Sequence, residues 1–301
     1  MTQVLISGGS GLVGKSLCEK LYSKGYDVAI LSRKPNANGK FKTYYWDILN
    51  KQIDPEAIAS SDYIIHLAGA NIAEKRWTTS RKKLILDSRV ESTNLLFEEI
   101  KKQNKKLKAF ISASAVGYYG AITSEKIFTE EDKAANDFLG QTCQKWEEAA
   151  EQFQTLNIRI TILRTSLVLT KKGGALSKML IPVKLGVASA IGSGNQHIPW
   201  IHINDLCEIY IKAIEDEQMA GAYNAVTPDF QTNLSFTKAL AKTLNKPCFF
   251  PNVPTLLLKF ILGDMSKILL KGSRVSADKL NKHRFTFEFP KLDSALNDLL
   301  K

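Results

Sequence analysis

The chain has 301 residues, 44% of them apolar, a formal charge of +11 and four cysteines, Cys18, Cys143, Cys207 and Cys248, without metal-ligand spacing. That length supports one large α/β domain, alone or with a smaller appendage, and no apolar run reaches the length of a membrane-spanning helix, so no membrane partner is expected. The cysteines read as reduced thiols and the chain enters a strand within a few residues, without a signal peptide, so the expected location is cytoplasmic. Much of the charge comes from lysines such as Lys101, Lys102, Lys105, Lys106 and Lys108. No aromatic residues interleave with them, so they read as a solvated surface rather than a nucleic-acid patch.

In chain order, Val4, Leu5 and Ile6 suit a buried strand, and Gly8, Gly11 and Gly14 follow at intervals of three before a helix through Leu17 and Leu21. Strand, glycine turn and helix in this order make a dinucleotide-binding unit. Gly8 allows the tight turn, Gly11 leaves no side chain before a pyrophosphate, and Gly14 lets the helix pack on the strand. The helix N-terminus then offers N–H groups to phosphate. The second strand, Asp27 to Leu31, leads into Ser32-Arg33-Lys34-Pro35. In such a unit this point faces the adenosine ribose: an acid selects NAD, whereas the bases Arg33 and Lys34 accommodate a 2′-phosphate and favour NADP. The third strand, Thr43 to Trp46, closes on Asp47, either a hydrogen-bond acceptor for the adenine amino group or a strand-end cap.

The fourth strand, Tyr63 to Leu67, precedes Ala68-Gly69-Ala70, small residues that let backbone lie against a cofactor; His66 within it reads as a satisfied core residue. Helical spacing runs from Thr79 to Lys102, Ala109 to Ala113 forms the fifth strand, Phe138 to Thr155 is helical and Arg159 to Arg164 is the sixth strand. Strands alternating with helices predict a doubly wound parallel sheet covered on both faces. After Thr170 the pattern changes: a short helix opens at Gly173-Gly174, His197 to Ile201 reads as a strand, His202 to Asp205 caps a helix, and Ala222 to Val226 is a further strand. The tail from Phe249 holds a helix with Leu256, Leu257, Phe260 and Ile261, then Phe285 to Phe289 and a last helix from Asp293 to Leu300. It reads as a small cap over the C-terminal edge of the sheet.

With these residues in view, the chain resembles the extended short-chain dehydrogenases/reductases. The resemblance rests on the glycine triad, His66-Leu67-Ala68-Gly69-Ala70, the Ser114 and Tyr118 segment, and Trp200-Ile201-His202-Ile203-Asn204-Asp205. Ser32-Arg33-Lys34-Pro35, Trp46-Asp47, Asp87-Ser88-Arg89, Gly117-Tyr118-Tyr119-Gly120, Trp146-Glu147 and Gly173-Gly174-Ala175-Leu176 narrow it to the atypical NAD(P)-dependent epimerase branch, which includes nucleoside-diphosphate-sugar epimerases. Gly272-Ser273-Arg274-Val275 with Phe285 to Pro290 is similar to that branch's small C-terminal domain. The resemblance implies a Rossmann-type epimerase-like domain over residues 1–230, a small cap over 248–298, and a substrate site beneath the cap. It also implies NADP(H) contacts at Gly8, Ser10, Gly11, Leu12, Val13, Gly14, Arg33, Lys34, Leu67, Ala68, Gly69 and Arg89. Arg89 either pairs with cofactor phosphate or forms a helix-surface ion pair.

The chain departs from the resemblance at the reacting groups. Typical members carry a tyrosine and, four residues later, a lysine on the helix after the fifth strand. Here Cys143 and Glu147 take those places. Cys143 is assigned to cofactor contact only, because the neighbouring Glu147 opposes thiolate formation. Ser114 matches the family position that hydrogen-bonds the reacting oxygen. The proton-transfer candidates are therefore Ser114, Tyr118 and Tyr119, with Tyr118 alternatively an aromatic wall of the pocket. His202 with Asp205 reads as a structural pair. The expected activity is that of an NADP-dependent oxidoreductase, or an epimerase working through a transient keto intermediate, on a sugar nucleotide or other small carbonyl or alcohol. The rival is a non-catalytic NADP(H)-binding regulator, in keeping with the label "cell division inhibitor" that some relatives in the resembled branch carry. A monomer or homodimer is expected.

Overall fold

The computed structural model of the chain describes residues 1–36 and 38–301. Five consecutive buried residues form β1 (Gln3–Ser7), and the chain turns through the glycines into α1 (Leu12–Ser23). Then come β2 (Asp27–Ser32), β3 (Lys42–Asp47), the short β4 (Gln52–Ile53), α2 (Pro55–Ala59), β5 (Tyr63–His66) and α3 (Thr79–Lys102). The second half of the sheet comes from β6 (Ala109–Ala115), β8 (Arg159–Thr165) and β11 (Gly221–Ala225). Between these lie β7 (Ile127–Phe128), α4 (Phe138–Glu151), β9 (Leu167–Leu169), α5 (Gly174–Lys184), β10 (Trp200–His202) and α6 (Ile203–Glu215).

The main sheet has the order β11-β8-β6-β5-β1-β2-β3-β4, parallel throughout except for β4 at one edge. The chain winds outward from β1 through β2 to β3, then returns to the other side of β1 and winds outward again from β5. The strand order therefore reverses between β1 and β5, and the crevice beyond their C-terminal ends is where open α/β sheets bind ligands. One face of the sheet is covered by α1 and α6, through Leu17, Leu21, Leu206 and Tyr210. The other is covered by α3, α4 and the turn after it, through Leu96, Phe97, Ala150 and Phe153. Both faces being covered explains the uninterrupted apolar strands.

Two glycines of the first turn are fixed by space. Gly8 has φ +73°, and a Cβ on it would lie 2.9 Å from the backbone of Leu67. A Cβ on Gly14 would lie 2.3 Å from the Gly8 carbonyl oxygen, so α1 closes onto the turn only with glycine there. The close approach read from sequence is thus an approach of helix to turn.

The remaining elements are α7 (Asn233–Thr243), α8 (Thr255–Leu262), α9 (Lys267–Leu270), β12 (Arg274–Val275), α10 (Asp278–Lys282) and α11 (Leu292–Leu300). The tail forms the expected small C-terminal domain, and it meets the rest of the chain at several points. Its turn at Gly263–Asp264 meets Arg76, Trp77 and Lys82, β12 pairs with β7, and α11 joins a third core with α5 and α7 around Trp200, Phe236 and Leu296. Asp205 holds the tail to the main domain, accepting from the backbone N–H groups of Glu288 (2.7 Å) and Phe289 (3.1 Å). His202 caps α6 by accepting from Asn204 N–H and packs its ring on Phe289. The strand expected over His197 to Ile201 is shifted to Trp200–His202, because Pro199 has no N–H to give a ladder. Helix α7 is absent from the sequence expectations, although Thr232 and Ser235 form a capping box at its start.

Candidate functional site

The crevice is built from the C-terminal ends of β1, β5 and β6. At β1 the N-cap of α1 is Gly11, which brings no side chain to the first-turn N–H groups, and no acidic residue lies in that turn. Ser10 and Gly11 are exposed there, and Leu12 packs under Gly174 at the start of α5. An uncapped helix N-terminus at the switch point, with a backbone cradle that a side chain would fill, fits a pyrophosphate. Across the crevice, Leu67 N–H donates to the Ser7 carbonyl (3.1 Å), which locks the end of β5 against the turn.

His66 anchors this junction from below. Its Nδ1 is 2.6 Å from Ser7 Oγ, its Nε2 is 3.0 Å from Ser92 Oγ, and its ring stacks on Phe110. Burial pushes its pKa from 6.5 down to about 3. The unfolded chain takes up this proton below about 6.5 and the folded chain does not until about 3, so stability is lost as pH falls through that window. We expect a decline of about 1.4 kcal/mol per pH unit from this group. Urea unfolding of the wild type and of His66→Asn between pH 7 and 5 checks it: the variant should show the shallower dependence.

Arg33 and Lys34 lie exposed beyond β2, in a turn pinned by Ser32 Oγ, which accepts from Lys34 N–H and donates to the Lys34 carbonyl. Among the described residues neither side chain has an ion-pair partner. Asp47 ends β3, and its carboxylate accepts from Leu49 N–H (2.9 Å) and the Asn50 side chain (2.8 Å). The Asn50 amide lowers its pKa. These are the bonds of a strand-end cap.

Arg89 turns inward from α3 rather than forming a surface ion pair. Its Nη1 donates to the carbonyls of Ala70 (3.1 Å) and Ile85 (2.8 Å), and its guanidinium lies 5.0 Å from the Trp146 ring centre. A Cβ on Gly69 would meet the Arg89 Cζ at 3.1 Å, so the small residue after β5 makes room for the guanidinium. Burial lowers its pKa from the usual arginine value.

Beyond β6 the side chains form one buried network. Glu147, on the inner face of α4, accepts from Ser114 Oγ (2.5 Å), from Arg164 Nε (3.0 Å) and from Arg164 Nη2 (2.8 Å). Arg164 Nη1 donates to Tyr119 Oη (3.0 Å), and Tyr119 donates to Asn224 Oδ1 (2.7 Å). The guanidinium also stacks on Tyr118, 3.4 Å from the ring centre. Burial raises the pKa of the Tyr119 phenol. It also pushes the Cys143 thiol up to about 12, with the Glu147 carboxylate acting in the same direction. Cys143 is therefore a protonated thiol at neutral pH, and Tyr119 is committed to Arg164 and Asn224. Tyr118 is half-buried, and the hydrogen bonds to Arg164 and Asn224 are made by the Tyr119 hydroxyl, not by its own.

The structure brings Ser114, Tyr118, Cys143 and Arg89 to the ends of β5 and β6, and the glycine turn, Leu67, Ala68 and Gly69 to the adjoining crevice. Sequence reasoning missed Arg164, Asn224 and the role of Glu147 as an ion-pair partner. The signal was present: an arginine inside the apolar strand Arg-Ile-Thr-Ile-Leu-Arg-Thr needs a buried carboxylate.

The chain resembles known proteins in sequence and in fold. Residues 4–225 match the NAD dependent epimerase/dehydratase family, and residues 253–299 match a domain of unknown function designated DUF1731. An epimerase family protein of Staphylococcus aureus is 34% identical over the full length of both chains. The crystal structure of the human epimerase family protein SDR39U1 (isoform 2), solved with NADPH, superposes with a TM-score of 0.88 at 32% identity, over 99% of each chain. A nucleoside-diphosphate sugar epimerase from Corynebacterium glutamicum superposes with a TM-score of 0.81 at 31% identity, over 99% of this chain and 58% of that one. The chain belongs to the NAD dependent epimerase/dehydratase family.

Proposed function

We propose that the chain binds NADP(H) in the crevice between β1 and β5 and acts as an oxidoreductase or epimerase on a small carbonyl or alcohol, with a sugar nucleotide as one candidate class. The observation that carries this reading is the uncapped glycine turn at the switch point beside the unpaired Arg33–Lys34 turn. The turn from Gly8 to Gly14, with Ser10, Leu12 and Val13, would hold the pyrophosphate, and Arg33 and Lys34 the 2′-phosphate. Leu67, Ala68 and Gly69 would lie along the cofactor, with Arg89 behind them and Cys143 as a neutral contact. Asp47 could accept from the adenine only with lone pairs its own turn leaves over. The human relative's capture of NADPH supports the same choice of cofactor.

When bound, the nicotinamide supplies or accepts a hydride. The protein's part is to hold the reacting oxygen and move a proton. Tyr118 would do the latter, as the hydroxyl on the segment after β6 that Arg164 and Asn224 do not hold. Ser114 would donate its hydroxyl hydrogen bond to Glu147, which leaves its oxygen lone pairs to accept from a substrate hydroxyl. The cation beside Tyr118 is the Arg164 guanidinium on its ring face rather than a lysine ammonium at its hydroxyl, and slow turnover would follow.

A second reading is a non-catalytic NADP(H)-binding regulator, favoured by the Glu147–Arg164 pair where typical members place lysine. Following cofactor oxidation and reduction across a panel of sugar nucleotides and simple carbonyl compounds separates the two. Turnover that depends on Tyr118 supports the enzyme; cofactor binding with no turnover on any member supports the regulator.

A further inference from the structure

One corner of the molecule combines exposed apolar side chains with exposed lysines. Helix α8 has no buried residue, and Leu256 and Phe260, one turn apart, are 80% and 82% exposed. Leu257 and Ile261 repeat the spacing beside them, each at least half exposed. The segment leading into α8 carries the stacked, exposed pair Phe249 and Phe250. That segment is tied along residues 189–192: Val253 N–H donates to the Ala190 carbonyl, Gly192 N–H to the Val253 carbonyl, and Ser189 Oγ to the Pro251 carbonyl. The exposed Leu185 and Val187 lie shortly before that tie in the chain, after α5. Isolated exposed apolar residues are ordinary, but several at one-turn spacing on a helix that supports no core mark an interaction surface.

The charge around the group is predominantly positive. Residues 171–204 contain no Asp or Glu. Residues 231–277 contain seven Lys or Arg against one acid, Asp264, which is already paired with Lys82 and Lys267. Exposed lysines interleave with the apolar side chains: Lys184 precedes Leu185, Lys259 lies between Leu257 and Phe260, and Lys267 and Lys271 flank Leu269. A second copy docking through a two-fold axis would bring these lysines against one another. A surface that is apolar beneath and negative above would satisfy both features at once.

We propose that this corner, α8 with the ends that lead to it, is a docking surface for an anionic lipid bilayer. The eight-residue helix is far too short to span, so it lies in the interface plane with Leu256 and Phe260 among the upper acyl chains and the lysines at the headgroups. The expectation of no membrane partner rested on the lack of a spanning segment, and interfacial docking needs none.

Flotation of the full chain with vesicles tests this. Vesicles of phosphatidylcholine containing phosphatidylglycerol should retain at least about tenfold more protein than phosphatidylcholine alone, and added salt should weaken retention. The double substitution Leu256→Ser with Phe260→Ser should abolish retention without shifting the thermal melt, since neither side chain is buried. Lys259→Glu with Lys271→Glu should remove most of it. Equal retention on both vesicle types, or retention that survives the serine pair, overturns the proposal. So does a concentration-dependent dimer that the serine pair dissociates, which would make a second copy the occupant.

Discussion

Replacing Arg164 with Met, or Glu147 with Leu, is expected to destabilise the protein by about 3–5 kcal/mol, the usual cost of leaving one member of a buried ion pair without its partner. Both side chains are almost fully buried, and the guanidinium meets the carboxylate through two nitrogens. Arg164 also holds Tyr119 and stacks on Tyr118, so its loss frees two rings as well as one charge. Joint replacement, Glu147→Leu with Arg164→Met, should cost much less than the sum of the single changes, because no buried charge is left over. Glu147→Lys should be worse than Glu147→Leu. It installs the residue typical of the wider dehydrogenase group, but sets a second cation against Arg164. Urea unfolding of the four variants measures this. Wild-type stability in Glu147→Lys would show that the pair does not hold this part of the fold.

The largest expected effect on chemistry is at Tyr118. Given a turned-over substrate, Tyr118→Phe should cut turnover by ~10²-fold or more, the usual contribution of a positioned proton donor. Removing the hydroxyl leaves the ring that stacks on Arg164, so the fold should be little changed. Cys143→Ala should cost far less: burial keeps the thiol protonated up to about 12, and a thiol in that state is neither nucleophile nor base at neutral pH. Steady-state rates of both variants with one substrate decide the matter. Loss of activity in Cys143→Ala with a silent Tyr118→Phe would overturn the assignment and require a thiol mechanism.

The parts of this arrangement legible in the sequence are those whose causes are local. The strand, glycine turn and helix at Gln3–Ser23 lie within one short run, and the spacing of Gly8 and Gly14 carries its own steric reason. Strand and helix alternation was enough for a doubly wound sheet, because strands covered on both faces read as continuous apolar runs. Helix α3 matches its predicted bounds of Thr79 and Lys102, set by the Thr78 cap and the long apolar spacing.

What escaped depends on partners distant in sequence or on surface that composition cannot locate. Arg164 and Glu147 lie on different elements, 17 residues apart, and only the fold makes one the reason for the other. Without that pair in view, Glu147 reads as a missing lysine rather than as half of an ion pair. Arg89 looks equally suited to a surface helix, and its inward turn needs the space that Gly69 leaves. In the tail, Leu256 and Phe260 have the spacing of core residues, yet α11, not α8, reaches the third core. Helical periodicity identifies an apolar face; it does not say what covers it.

The central claim, that the crevice between β1 and β5 takes NADP(H) through the glycine turn and the Arg33–Lys34 turn, is most directly tested by calorimetric titration of the wild type and Arg33→Ala with NADPH and NADH. The wild type should bind NADPH more tightly than NADH by about tenfold or more, about 1.4 kcal/mol or more, within reach of a charge-assisted phosphate contact. Arg33→Ala should lose most of that preference while binding NADH nearly as before. Equal wild-type affinities for the two nucleotides, or a preference that survives Arg33→Ala, would contradict the account.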